Sequence, residues 1–370
     1  MRFHVLAVPI TITRKDFTVC STTILVYDWC KMMHARGHTI YHYGHEDSVV
    51  DCTEHVTVVL EEDIQKTYPG RVWKRDGSHG CTNDHAHQIF NTRAIPEVGK
   101  RKQPGDFILC FWGFSHEPVY KAHPELIPVD PTVGIDHPVA LPYQIFGSYS
   151  VMNRVYGRTN IDPRWYDAVI PHFFDVKQFE FNPTPKDYFL YVGRIIPSKG
   201  ISIAIDMARD AGVKIIIAGV GNVQWCKNPV PDYVIQMGSV DVEQRCELMK
   251  NAKAFIAPSH YCEPFGMAVV EAMLCGTPVI TTDWGGFAET VNHGVTGYRC
   301  HTQEQFSWAA KNIDKIDRQA CRDWAEKNYS MERIGPMYEE YFDMISRVHT
   351  SGGFYYEKPD RKNLDWLVRY

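Results

Sequence analysis

Two carboxylates eight positions apart, Glu263 and Glu271, bracket a segment that reads as a helix opening at Phe265-Gly266-Met267. Eight residues climb roughly 12 Å along a helix. That is comparable with the reach of a diphosphate carrying a sugar at one end and a ribose at the other. One carboxylate can then accept hydrogen bonds from sugar hydroxyls and the other from the ribose. Backbone N–H groups at 265–267 lie at the positive helix end and can face the sugar or diphosphate. Gly266 leaves room for close backbone approach. Taken alone, such a pair is more commonly two solvated glutamates on an amphipathic helix. Upstream, Arg194 and Lys199 share a loop between an apolar run and a helical stretch. Two cations beside a helix start form a site for a dianionic leaving group.

The segment EPFGMAVVEAMLCGTPVI (263–280) resembles the nucleotide-sugar signature of glycosyltransferase family 4, retaining enzymes of the GT-B fold. The resemblance continues through FLYVGRIIPSKGISIAI (189–205), IIAGVGN (216–222), GSVDVEQRCELMKNAKAFIAPS (238–259) and TDWGGFAETVNHGVTGYRC (282–300), covering about residues 188–345. It implies two Rossmann-like parallel-sheet domains facing each other across a cleft. It also implies that Glu263 binds donor-sugar hydroxyls with the amides of Phe265, Gly266 and Met267, that Glu271 holds the ribose, and that Arg194 and Lys199 grip the diphosphate. Gly219 and Gly221 either bring backbone near the nucleotide or form a plain turn, while Gly238 and Val240 resemble the base-edge segment. The family further implies retention of anomeric configuration, so neither glutamate is assigned as a nucleophile.

The first half supplies the acceptor site in this reading, with one polar group near the reacting carbon. His137, in TVGIDHPVALPYQIF (132–146), is the first candidate, Asp136 the second and His116 a rival. The Gly-Gly loop usual after the family's first strand is absent, and Arg14 and Lys15 are the cations standing in that region. HYGHED (42–47) has metal-ligand residue types but no further ligands at matched spacing, so it reads as a polar strand end. With no Asp-x-Asp motif, no metal ion is expected on the diphosphate, and no cofactor is implied beyond the nucleotide-diphosphate sugar.

The elements that must position these groups alternate as strand and helix. A strand to Val8, a helix over 23–35 and a strand over 38–43 open the chain. Further strands are expected at 106–112 and 132–136, with one helix among the loops of 66–104. VIPHFFDVKQFEFNPTPK carries three prolines and no period, as a linker would. Strands are then expected at 188–192, 214–218, 254–257 and 278–282, and helices at 201–211, 242–252, 266–274 and 306–313. The expected division is an acceptor domain over 1–170, a linker over 171–186, a donor domain over 187–350 and a tail over 351–370. Leu364, Trp366, Leu367 and Tyr370 recur at helical spacing in that tail, which either crosses back to the first domain or packs on the second.

Bulk composition narrows the alternatives. The chain has 370 residues, 44% hydrophobic and 22% charged, which suits two globular domains. A net charge of -5 gives no general reason to bind nucleic acid or anionic membrane. Eleven cysteines occur without a C-x-x-C pair, the pattern of reduced thiols in a cytoplasmic protein. No uncharged apolar run reaches the ~18 residues of a membrane span. The G-x-x-x-x-G-K-[ST] phosphate loop and a G-x-G-x-x-G after the first strand are both missing. Rival readings are a GT-B epimerase acting on a nucleotide-sugar, a non-catalytic nucleotide-sugar binder, and transfer to a modified base in DNA. Basic residues at 71–75 and 100–102 motivate the last of these.

Overall fold

The computed structural model describes residues 1–17, 19–73, 83–134 and 139–351. The chain divides into two compact units. Of the described residues, one holds Met1–Gly147, Met152–Phe173 and 334–351, and the other holds Ser148–Val151 and Phe174–Arg333. The boundary after Phe173 falls inside the proline-rich stretch expected as a linker. The boundary after Arg333 differs from the expected limit at 350. Tyr338 and Phe342, on the helix Met331–Thr350, pack on Phe3 and Trp29, with Phe3 and Phe342 centroids 4.8 Å apart. Burying that apolar stripe against the first unit's aromatic core is what draws the segment there. The tail residues 362–370 lie outside the described residues.

The first unit carries a seven-stranded parallel sheet of β1 (Arg2–Leu6), β2 (Thr39–His45), β3 (Glu54–Val59), β4 (Phe107–Cys110), β5 (Ile127–Asp130), β6 (Tyr143–Phe146) and β7 (Ala168–Val169). Its order is β3-β2-β1-β4-β5-β6-β7. The strand expected at 132–136 lies instead at Ile127–Asp130. Pro131, lacking an N–H, follows its last residue, and Thr132 turns back to hydrogen-bond the Asp130 carboxylate.

The second unit carries a six-stranded parallel sheet of β8 (Tyr188–Val192), β9 (Lys214–Ala218), β10 (Val234–Gly238), β11 (Ala254–Ala257), β12 (Val279–Thr282) and β13 (Gly297–Cys300), in the order β10-β9-β8-β11-β12-β13. Phe189, Tyr191, Ile215, Ile217 and Ile256 join one core, whereas Leu190, Phe255 and Ala257 join another. Alternate residues of β8, β9 and β11 thus pack on opposite faces, which is why these three strands read as apolar runs. These are the parallel sheets of the GT-B fold. The strand order reverses at β8 and β11, and in such sheets the crevice for ligands opens beyond the carboxyl ends of the strands flanking that point.

Candidate active site

The two loops leaving β8 and β11 carry the groups singled out from the sequence. After β8, Arg194 is exposed, and its carbonyl accepts the Tyr191 hydroxyl at 2.8 Å. Lys199 ends the turn Pro197–Lys199, directly before Gly200 and the helix Ile201–Ala211. After β11, the His260 N–H donates to the Ser198 carbonyl at 2.8 Å and ties the loops together.

Lys199 and Glu263 meet in an ion pair. Lys199 Nζ also donates to the Tyr261 hydroxyl at 3.0 Å and lies 4.6 Å from that ring's centroid. Glu263, 7% exposed, accepts from Ser259 Oγ at 2.7 Å on Oε1 and from the Tyr261 hydroxyl at 2.7 Å on Oε2. A carboxylate offers about four acceptor positions. Three are engaged, so one, on Oε2, remains for a ligand hydroxyl. Burial pushes the Tyr261 hydroxyl above the ordinary tyrosine range and the Glu263 charge adds to it, while Arg194 acts in the opposite sense. The phenol therefore stays protonated and able to donate.

The helix that starts beside this cluster is Met267–Leu274, with Gly266 as its left-handed cap at φ +95. Its leading N–H groups have no acceptor within the helix. A Cβ on Gly266 would come within 2.5 Å of the Phe287 ring. The room expected above this glycine for a ligand is therefore filled by the protein. Phe265 is buried, its ring edge-on to Tyr329 at 5.5 Å. The turn preceding Phe287 holds the loop from behind, since Gly286 N–H donates to the Glu263 carbonyl at 2.7 Å.

Glu271, 5% exposed on the same helix, has a different setting. Its Oε2 lies 3.2 Å from Arg245 Nε, yet the alignment makes no hydrogen bond, and neither atom has another partner among the described residues. Arg245 belongs to the helix Val242–Asn251. Gly219 follows β9, and its N–H donates to the Gly238 carbonyl at 2.7 Å. A Cβ on Gly219 would meet the Gly193 carbonyl oxygen at 1.9 Å, so the crossing of two loops already demands a glycine there. Val240 is half-buried just before that helix's cap, Asp241. The carboxyl ends of β8, β9, β10 and β11 and the loops that follow them thus carry Arg194, Lys199, Gly219, Gly238, Val240 and Glu263 at the same end of the sheet.

In the first unit, His137 and Asp136 lie outside the described residues. His116 is fully buried, 4.9 Å from the Phe90 ring, and burial depresses its pKa to about 3. It is a core imidazole, unsuited to taking a proton from a ligand. Arg14 pairs with Asp16 and lies over Trp73, whereas Lys15 is exposed. His42 faces His55 with Nδ1 atoms 2.9 Å apart, and burial first, then its neighbour, lowers the His42 pKa to about 3. Among the described residues no three His, Cys, Asp or Glu side chains group as metal ligands, and no helix is long and apolar enough to cross a membrane.

Tyr261, Ser259 and Arg245 were not singled out from the sequence. The only advance signal for the first two was proximity to Glu263, and for Arg245 a cation in the first turn of a helix, where the dipole disfavours it.

Residues 173–331 match the profile of the family described as glycosyl transferases group 1. Glycogen synthase of Mycobacterium tuberculosis is 36% identical over 143 residues, which cover 36% of this chain and 34% of that protein. The chain therefore spans about a third of the length of that relative. Sucrose-phosphate synthase from Thermosynechococcus elongatus superposes with a TM-score of 0.66 at 17% identity, covering 95% of this chain and 98% of that one. Anabaena HepE, solved with UDP and glucose, gives a TM-score of 0.66 at 15% identity over 93% of this chain and 99% of its own. The fold is that of these solved proteins, and residues 173–331, less than half of the chain, are similar to the group 1 glycosyl transferases.

Proposed function

We propose that the chain transfers a hexosyl group from a nucleoside-diphosphate sugar to a glycan or other hydroxyl acceptor, with retention of anomeric configuration and without a metal ion. The observation carrying this reading is the cluster of Lys199, Tyr261, Ser259 and Glu263 beside the start of the helix Met267–Leu274. As the glycosidic bond breaks, negative charge grows on the departing diphosphate, and Arg194, Lys199 and the helix-start amides are the groups placed to meet it. Glu263 has most of its lone-pair capacity engaged, which suits a hydroxyl-holding role better than that of a nucleophile. In the proposed step the acceptor oxygen attacks from the face the diphosphate leaves, and a phosphate oxygen takes the acceptor proton. UDP is the first donor nucleotide to try, because HepE was solved with it. Free thiols among the described residues suit a reducing, cytoplasmic setting.

Transfer to a base in DNA draws little support. Lys100 and Arg101 pair with Glu97, Arg101 also with Glu54, and Lys102 with Glu125. The basic run at 100–102 is therefore largely neutralised within the fold.

The test is a thermal-shift panel of UDP, GDP, ADP and dTDP and their sugars, each with and without EDTA. A ligand at 100 times its Kd stabilises by about 2.7 kcal/mol. The expected result is a shift with one nucleotide series that EDTA leaves unchanged, followed by an axial or equatorial product matching the donor's anomer by NMR. No shift with any member, or one abolished by EDTA, sinks the metal-independent donor reading.

A further inference from the structure

We infer that Arg245 is a positioning residue that holds the Glu271 carboxylate for the ribose diol of the donor, and so sets the preference for ribonucleotides. The inference rests on the proposed donor site and extends it to a residue to which the family resemblance gave no role.

Three observations carry it. Glu271 is almost fully buried, with Arg245 the only cation paired with it among the described residues, Nε to Oε2 3.2 Å. A lone buried carboxylate is costly, and a guanidinium beside it offsets that cost. Secondly, the contact is incomplete: Oε2 is buried without a hydrogen bond, and so is Nε. Buried polar atoms are seldom left this way. A vicinal diol supplies two O–H donors in the span of one carboxylate and would complete the acceptor side. Thirdly, Arg245 sits where helix electrostatics oppose it. Its N–H makes the first-turn bond to the Asp241 carbonyl at 2.9 Å, and the reciprocal cap of Asp241 and Gln244 fixes that helix start. A cation at the positive end of a helix costs stability, so helix formation does not explain it, whereas a fixed guanidinium plane beside Glu271 does.

The test measures Kd for UDP, GDP and ADP, each beside its 2′,3′-dideoxy counterpart, in the unsubstituted protein, Arg245→Gln, Arg245→Lys, Glu271→Gln and the double variant Arg245→Gln with Glu271→Gln. The unsubstituted protein should favour the ribonucleotide by about 10- to 100-fold, the range for hydrogen bonds to a charged group. Arg245→Gln should shrink that ratio to within about threefold, matching Glu271→Gln, and the double variant should add nothing further. Arg245→Lys should restore part of the ratio, because a point charge returns without the fixed plane. A purely structural role would weaken both nucleotides alike and leave the ratio intact, which overturns the inference. Additive losses in the double variant overturn it as well. Should Arg245→Gln fail to fold, an unchanged ratio in folded Arg245→Lys and a collapsed one in Glu271→Gln would place Glu271 alone at the diol. If the unsubstituted protein binds none of the six nucleotides, the donor-site reading beneath the inference falls instead.

Discussion

Glu263 and Glu271 belong to one short stretch of chain and are buried to nearly the same degree, yet their surroundings differ in kind. Glu263 has a cation, a phenol and a hydroxyl around it, with three of about four acceptor positions in use. Glu271 has a cation at ion-pair distance and an oxygen with no hydrogen bond. The first is satisfied by the protein at all but one position, the one left on Oε2 for a ligand hydroxyl. The second is complete only when something else brings donors to it. Burial alone therefore says little about a carboxylate; the count of satisfied lone pairs says how much of it is left for a ligand.

The largest expected effect comes from dismantling the finished cluster. Lys199→Ala, or Glu263→Gln with its misplaced amide donors, should lower kcat by about 10²- to 10³-fold, as loss of a transition-state charge contact does. Steady-state kinetics with a donor from the thermal-shift panel checks this, and near-normal turnover in both variants breaks the assignment. Glu271→Gln should act mainly on affinity, raising the nucleotide Kd by about 10- to 100-fold with a smaller change in kcat. Calorimetry would show it, and a loss confined to kcat would mean that the two glutamates do not divide the work this way. Tyr261→Phe keeps the ring under Lys199 but removes one donor to Glu263. It should cost roughly tenfold or less in turnover, in line with one hydrogen bond to a charged group. A Tyr261→Phe variant as impaired as Lys199→Ala would mean the hydroxyl itself touches the reacting atoms.

A third buried carboxylate sharpens the contrast, with no cation paired to it among the described residues. Asp130, at the end of β5, is raised to about 7 by burial, partly offset by the Thr132 N–H, and its Oδ2 has no partner. Its folded pKa lies above its unfolded one, so the folded chain keeps a proton that the unfolded chain loses. The linked stability is fully present below the ordinary aspartate value of 3.8 and is lost as pH rises towards about 7. Asp130→Asn should remove that decline, on the order of 1 kcal/mol per pH unit across the window. Melting curves of the two proteins should converge near pH 4 and separate by pH 8, with Asn the more stable. Parallel curves would count against it, and nucleotide affinity should not move.

Legibility in the sequence follows the same division. The strands Tyr188–Val192, Lys214–Ala218 and Ala254–Ala257 were readable to the residue, because parallel strands buried on both faces leave apolar runs punctuated by Gly and Pro. β5 was missed: Ile127–Asp130 is four residues long and contains Pro128, which breaks the apolar signal. β10 was missed because Ile235, Gln236 and Met237 are exposed at the sheet edge and show no buried face. Within the site, motif spacing pointed to Arg194, Lys199, Glu263 and Glu271. It could not reveal which carboxylate was already satisfied. Ser259 and Tyr261 act through angles and distances, and Arg245 reaches Glu271 from another helix.

The Phe287 ring that fills the space above Gly266 makes these two positions a matched pair in the way a tenon fits its mortise. A methyl group at 266 has to evict the ring, and a smaller residue at 287 would leave a void beneath the helix start. Even with the ring trimmed, φ +95 still disfavours any side chain at 266. Drift across such sequences should therefore be lopsided. Position 287 can change while 266 stays glycine, but 266 has no route to change first.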